Sequence, residues 1–134
     1  MKNYNIGRSG NINDIDGLEI YFYNTEKITT IKLHNFDHLE YLQKNIYDII
    51  SDNVVLNAQN CIISFGLYVN ENYRKLGLSS KIMELAFDEC RKHNVTYWLG
   101  YRYNDNLISK QIFENLGMKV IANDEKIEVV VKKL

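Results

Sequence analysis

Proline is absent from the 134 residues, and cysteine, histidine and tryptophan are scarce, with two, three and one respectively. Each scarcity excludes something. Cys61 and Cys90 each sit inside an apolar run, too few for a disulfide framework, and no second Cys or His lies at ligand spacing, so they read as buried free thiols. His34, His38 and His93 are scattered and form no metal set, and no metal is expected. No run approaches the roughly 20 apolar residues of a membrane span. The opening Met-Lys-Asn-Tyr-Asn-Ile-Gly-Arg lacks the apolar centre of a signal peptide, so a cytoplasmic location is expected. Charge of one sign is also lacking: 16 basic against 17 acidic side chains leave a net charge of -1. No overall field then favours nucleic acid or an anionic membrane, and neither partner is expected. The missing proline itself reads as compositional bias.

What remains is a globular composition, 46% hydrophobic and 25% charged, which predicts a single domain over residues 1–134 with 1–17 irregular or at an edge. Residues 18–23 and 27–33 are rich in β-branched and aromatic side chains and predict two strands joined by a hairpin at 24–26. From Asp37 the apolar period changes to that of a helix, with Leu39, Leu42, Ile46, Ile49 and Ile50 on one face, over 37–50. After a polar break at 51–53, residues 61–69 predict a strand apolar on both faces. Residues 78–93 form an amphipathic helix burying Ile82, Leu85, Ala86 and Cys90.

A second buried strand follows at 95–103. Asp105 caps a short helix bearing Ile108, Ile112, Phe113 and Leu116, which Gly117 ends. Residues 118–122 and 127–131 are strands around a turn at 123–125. The order strand, helix, strand, helix, strand, strand implies an α/β fold with a mixed sheet flanked by helices. It is parallel at the helical crossovers and antiparallel in the last hairpin.

The chemistry concentrates where the strand ending at Val69 turns through Tyr73-Arg-Lys-Leu-Gly-Leu-Ser-Ser into a helix. First-turn amides without intrahelical partners, together with the helix dipole, favour an anion there. Gly77 permits close approach, Leu78 faces the core, and Ser79 and Ser80 offer hydroxyls. The turn is neither a P-loop nor a Gly-x-Gly-x-x-Gly dinucleotide turn. A glycine is also simply how such a turn is made, so the spacing alone leaves a phosphate role open.

The string from Tyr68 to Ile82, with Arg74, Gly77 and Ser79 in a pattern of Arg or Gln, two residues, Gly, one residue, Gly or Ala, resembles the acetyl-CoA motif of the GNAT superfamily of N-acetyltransferases. Asn104-Asp-Asn106 followed by Phe113-Glu-Asn-Leu-Gly117-Met118 is similar to that family's late signature. The resemblance covers residues 61–134. It implies acetyl-CoA as co-substrate, a primary amine as acceptor, and a sheet fold compatible with a homodimer.

By the resemblance, the pantetheine arm would pair with the main chain of Leu67, Tyr68 and Val69. The pyrophosphate would lie over Lys75, Leu76, Gly77, Leu78, Ser79 and Ser80, with charge from Arg74, and Asn106 would cap its helix or bond the pantetheine amides. Phe113 stands near the thioester where many members carry a Tyr that protonates the leaving thiolate. Phe has no proton to give. A water, Tyr101 or Tyr103 are the substitutes at hand. The strand 61–69 holds no carboxylate or histidine, so a base would have to act through water, from Glu19, Glu71 or a tyrosine, and no catalytic residue is assigned.

The first half departs from the family plan of a strand, two helices and a strand hairpin before the central strand. Either the strand at 28–33 is the family's first and the middle hairpin is curtailed, or the hairpin has moved ahead of the helix. Three readings stand: an N-acetyltransferase, a CoA-binding module of the same fold without turnover, and an α/β interaction domain with no CoA site.

Overall fold

The computed structural model describes residues 3–11, 13–36, 50–51, 53–74, 76–123 and 125–134. The strands are β1 (Asn5–Ser9), β2 (Glu19–Tyr23), β3 (Lys27–Asn35), β4 (Ile50–Ser51), β5 (Val54–Val55), β6 (Cys61–Val69), β7 (Tyr97–Tyr103), β8 (Lys119–Asn123) and β9 (Ile127–Lys133); the helices are α1 (Leu78–Lys92) and α2 (Leu107–Asn115). Seven strands form one sheet in the order β1-β2-β3-β6-β7-β9-β8, and β4 with β5 makes a separate two-residue hairpin turned by Asn53 at φ 63°.

The mixed sheet follows from the sequence order, with one difference. β6 and β7 are parallel neighbours across the α1 crossover. The α2 crossover instead leaves a gap that β9 fills, pairing antiparallel with both β7 and β8. Val129, Val130 and Val131 of β9 are all buried, and a strand buried on both faces is central, not an edge.

α1 and α2 pack on one face. Ile20 and Phe22 of β2, Ile31 and Leu33 of β3, Ile62 and Trp98 meet Leu78, Ile82, Met83, Ala86, Phe87 and Cys90 of α1 and Phe113 of α2. Cys61, Ile63, Tyr97, Leu99, Val129 and Val131 form the core of the opposite face, with Leu56 packed on it. Period-2 alternation along each strand produces the two layers.

Several expectations change. Within the arm expected to be irregular, Asn5–Ser9 pairs with β2 as the edge strand, and its Arg8 reaches the buried Glu89 of α1 at 2.8 Å. Residues 37–49 of the expected 37–50 helix lie outside the described residues, and Ile50 opens β4. The hairpin β2–β3 stands ahead of that segment and β3 pairs directly with β6. Asn106, not Asp105, caps α2, its Oδ1 accepting from Ser109 N at 3.0 Å. Ile108 is 71% exposed, because a helix lying on a sheet with one narrow stripe buries Phe113 and turns the residue five positions earlier away. Gly117, at φ 77°, ends the helix as read from the sequence.

Candidate active site

The site begins where two parallel strands stop pairing. β6 and β7 are joined at Cys61 with Tyr97, Ile62 with Trp98 and Ile63 with Leu99. Beyond Leu99 both strands continue without pairing to each other, and a cleft opens at their carboxyl ends. On its other side β6 stays paired with β3, but Tyr68 faces Thr30 and Phe65 faces Lys32, so two residues of β6 stand against Ile31 alone. This bulge at residues 66 and 67 bends β6 at the height of the cleft.

Alternation decides which main-chain groups face the cleft. Asn70 N–H donates to Ile28 O at 2.7 Å, so Asn70 and, two residues earlier, Tyr68 turn their peptide groups to β3. The Tyr68 carbonyl accepts from the Thr29 hydroxyl. Val69 and Leu67 therefore face the cleft, which corrects the expectation that all three residues offer main-chain groups there. Arg74 lies against the strand's end, its Nε–H donating to Val69 O at 3.3 Å.

The turn itself is pinned from three sides. Asn70 Oδ1 accepts from Asn72 N, Tyr73 N donates to Asn70 O at 2.9 Å, and Asn24 Nδ2 in the β2–β3 turn donates to the Tyr73 hydroxyl at 3.0 Å. Gly77 then enters α1 at φ 73°, a conformation that favours glycine, and a Cβ added there would touch nothing within 4 Å. No side chain caps α1, and its first turn carries no acidic residue. The amides of Leu78, Ser79 and Ser80 are thus left with no helical partner at the cleft's mouth. Leu78 is buried as anticipated, Leu76 is exposed, and Ser79 and Ser80 are half-buried. Lys75 lies outside the described residues.

Asn106, Phe113 and Trp98 define the α2 side. Asn106 spends its Oδ1 on the helix cap. Phe113 is buried, its ring edge-on to Trp98 at 6.3 Å. A cavity of about 240 Å³ beside it is lined by Arg102, Lys110, Met118 and Glu128 among others. Arg102, buried, is ion-paired with Glu128.

The sequence reading missed Trp98, Arg102 and Gly100. A glycine inside a strand pattern was the available signal, since it marks a close approach of another group. A Cβ at position 100 would overlap the Trp98 ring.

On the opposite face Tyr68, Tyr101 and Tyr103 follow the alternation of Ile63, Tyr97 and Leu99, with Tyr68 and Tyr103 exposed. Of the carboxylates considered as bases, Glu19 is ion-paired with Lys27 at 2.6 Å and Glu71 sits exposed in the turn after Val69. Both thiols are buried; burial pushes Cys61 up and holds Cys90 up at about 12, with the neighbouring Glu89 adding to the latter. Neither is a nucleophile. Among the described residues no cluster of His, Cys, Asp and Glu could hold a metal ion, and no helix is long and apolar enough to cross a membrane.

No curated protein matches the sequence. Solved structures do resemble the fold. A GNAT family acetyltransferase from Elizabethkingia anophelis with acetyl-CoA bound is 9% identical with a TM-score of 0.69, each chain covered in full at 100%. Ard1 from Thermoplasma volcanium is 11% identical with a TM-score of 0.66, over 87% of this chain and 70% of that one. PaiA N-acetyltransferase from Thermoplasma acidophilum, in complex with coenzyme A, is 16% identical with a TM-score of 0.64, over 87% and 60%. At these identities the likeness is one of fold. The model of the acetyltransferase (GNAT) family matches residues 20–118, most of the chain and all of the cleft. With its splayed parallel strands, bulged β6 and uncapped α1, the chain belongs to the GNAT acetyltransferase family and is an acyltransferase by that membership.

Proposed function

We propose that the protein transfers an acetyl group from acetyl-CoA to a primary amine, and that the cleft between β6 and β7 holds the cofactor. The observation that carries this reading is the meeting of the unpaired edge of β6 with the uncapped N-terminus of α1. The pyrophosphate would lie over the first-turn amides of α1 around Gly77, Leu78, Ser79 and Ser80, each favourable contact of charge with the helix end contributing about 0.3–1 kcal/mol. Lys75 and Leu76 precede this turn, and Arg74 stands beside it. The pantetheine arm would run along β6 past Val69 and Leu67, whose peptide groups face the cleft, and Asn106 and Phe113 would border it from α2.

The uncharged amine would attack the thioester carbon directly. A C–N bond forms, the C–S bond breaks, the electron pair leaves on sulfur, and the extra proton on nitrogen passes to water. Positioning of the two reactants and polarisation of the carbonyl by a cleft-facing amide of β6 supply most of the rate. Loss of a general acid at Phe113 lowers the rate by about 10²- to 10⁴-fold relative to a site with one, which a thiol of ordinary pKa about 8.5 tolerates as leaving group.

The test is release of CoA with a panel of amines, read with a thiol reagent, alongside calorimetry of acetyl-CoA binding. Binding with release identifies the acceptor. Binding without release from any amine favours the second reading, a CoA-holding module, which the burial of Phe113 supports. No binding removes both.

A further inference from the structure

Two tyrosines stand on the lips of the cleft, on the face of the sheet away from the helices. β6 and β7 last pair at Ile63 with Leu99. Tyr103 lies four residues beyond Leu99 and Tyr68 five beyond Ile63, but the bulge takes up one residue of β6, so the two reach the same level. The bulge also sets the face. Plain alternation from Ile63 would turn Tyr68 towards the helices; the extra residue brings it opposite Thr30, on the side of Lys32 and away from Ile31 and Leu33 of the helix-side core. Tyr68 is 48% and Tyr103 58% exposed, and Tyr101 meets Tyr103 edge-on at 6.4 Å. Tyr21 extends the row on β2, since it pairs with Thr30 as Thr30 pairs with Tyr68.

Strand propensity accounts for tyrosines in a sheet, but not for leaving two of them open to water where the strands part. Such rings suit a binding site, because each offers a large apolar face with a polar tip. The other face of the sheet is covered by α1 and α2. An acetyl-CoA arm entering at the α1 N-terminus along β6 therefore leaves its thioester open to approach from the tyrosine face. Charge on that face is sparse. β6 and β7 carry no carboxylate, Lys32 is exposed, and Glu19 is paired with Lys27 at 2.6 Å. Glu71 and Asp105 are exposed on the segments beyond the two strands.

We propose that Tyr68 and Tyr103 bind the acceptor, and that the acceptor is a monoamine with a flat aromatic body, an arylalkylamine; this rests on the acetyl-CoA reading above. Its ring packs on the two tyrosines, offset or edge-on, and its short alkyl chain carries the amine into the cleft to the thioester carbon. The same arrangement selects against a polyamine. Further ammonium groups meet no carboxylate on β6 or β7, and Lys32 repels them.

The protein saturated with CoA is titrated with phenylethylamine and with spermidine by calorimetry, and turnover of each with acetyl-CoA is followed by thiol release. Phenylethylamine binds about tenfold tighter than spermidine and is the better substrate. Tyr68→Ala and Tyr103→Ala each weaken its binding and raise its KM by about tenfold, while kcat and the affinity for CoA stay in place. Tyr68→Phe and Tyr103→Phe restore both values, because the ring and not the hydroxyl makes the contact. A preference for spermidine, or alanine variants that bind phenylethylamine as the wild type does, overturns the proposal and leaves the cofactor reading intact. So does binding of CoA with no binding or no turnover of phenylethylamine. Failure of CoA to bind overturns the cofactor reading, and the proposal with it.

Discussion

Phe113 meets Trp98 edge-on, ring centroids 6.3 Å apart at 80°, so the residue standing where a phenol is common in the family is part of the hydrophobic core. Phe113→Tyr adds a hydroxyl beside the cavity of about 240 Å³. We predict a stability change within about 1 kcal/mol and, with an accepted amine, a rise in kcat of about 10²-fold or more from the restored proton donor. A melting curve and steady-state kinetics check this, and a drop in kcat would show that the hydroxyl does not reach the thioester.

Gly77 separates conformation from space. Its φ of 73° disfavours any residue with a Cβ, yet nothing stands within 4 Å of that Cβ. Gly77→Ala is predicted to cost about 1–2 kcal/mol through the backbone alone, and Gly77→Asn less, since Asn tolerates this conformation. CoA should still raise the melting temperature of Gly77→Asn. In Gly77→Glu that rise should vanish, because a carboxylate then sits at the helix end where the pyrophosphate would bind.

The Arg102–Glu128 pair fastens β7 to β9 beneath α2, and the Arg102 guanidinium also donates to Tyr103 O at 3.3 Å. Glu128→Ala leaves the Arg102 charge buried and unpaired, and is predicted to cost about 3 kcal/mol. Replacing both partners, Arg102→Met with Glu128→Val, should restore stability to within about 1 kcal/mol of the parent. Urea midpoints of the three proteins distinguish a pair that stabilises from one that is only costly to break.

Burial of the two thiols makes stability depend on alkaline pH. Cys90 is raised to about 12 from 9.0 and Cys61 is raised further, desolvation being the main cause in both. Below the unfolded value both states keep the proton and nothing changes. Above pH 9 the unfolded chain releases protons that the folded one retains, so stability falls as pH climbs from about 9 towards 12. Cys61→Ala with Cys90→Ala should flatten that alkaline slope. In the native protein near neutral pH, thiol reagent should react with neither cysteine until denaturant is added.

Residues 61–69 and 78–92 were legible because their signals are local. An apolar run with Gly66 is too short for a helix, and a 3.6-residue stripe from Leu78 to Cys90 makes one amphipathic helix. Gly77 and Gly117 marked the positive-φ residues at the start of α1 and the end of α2 for the same reason. The cap of α2 lay one residue from Asp105 because Asp and Asn offer the same acceptor, and only backbone geometry chooses between them.

The turn over residues 73–80 and the family resemblance were thus determined by the sequence itself, through short-range pattern. Tertiary structure decided what depends on partners far along the chain. The insertion of β9 between β7 and β8, the bulge that turns Val69 to the cleft and Tyr68 to β3, and the pairing of Arg102 with Glu128 all come from strands meeting across the sheet. A strand's own residues set which of them share a face; which neighbour it pairs with, and where that pairing stops to open a cleft, is settled only when the whole sheet closes over its core.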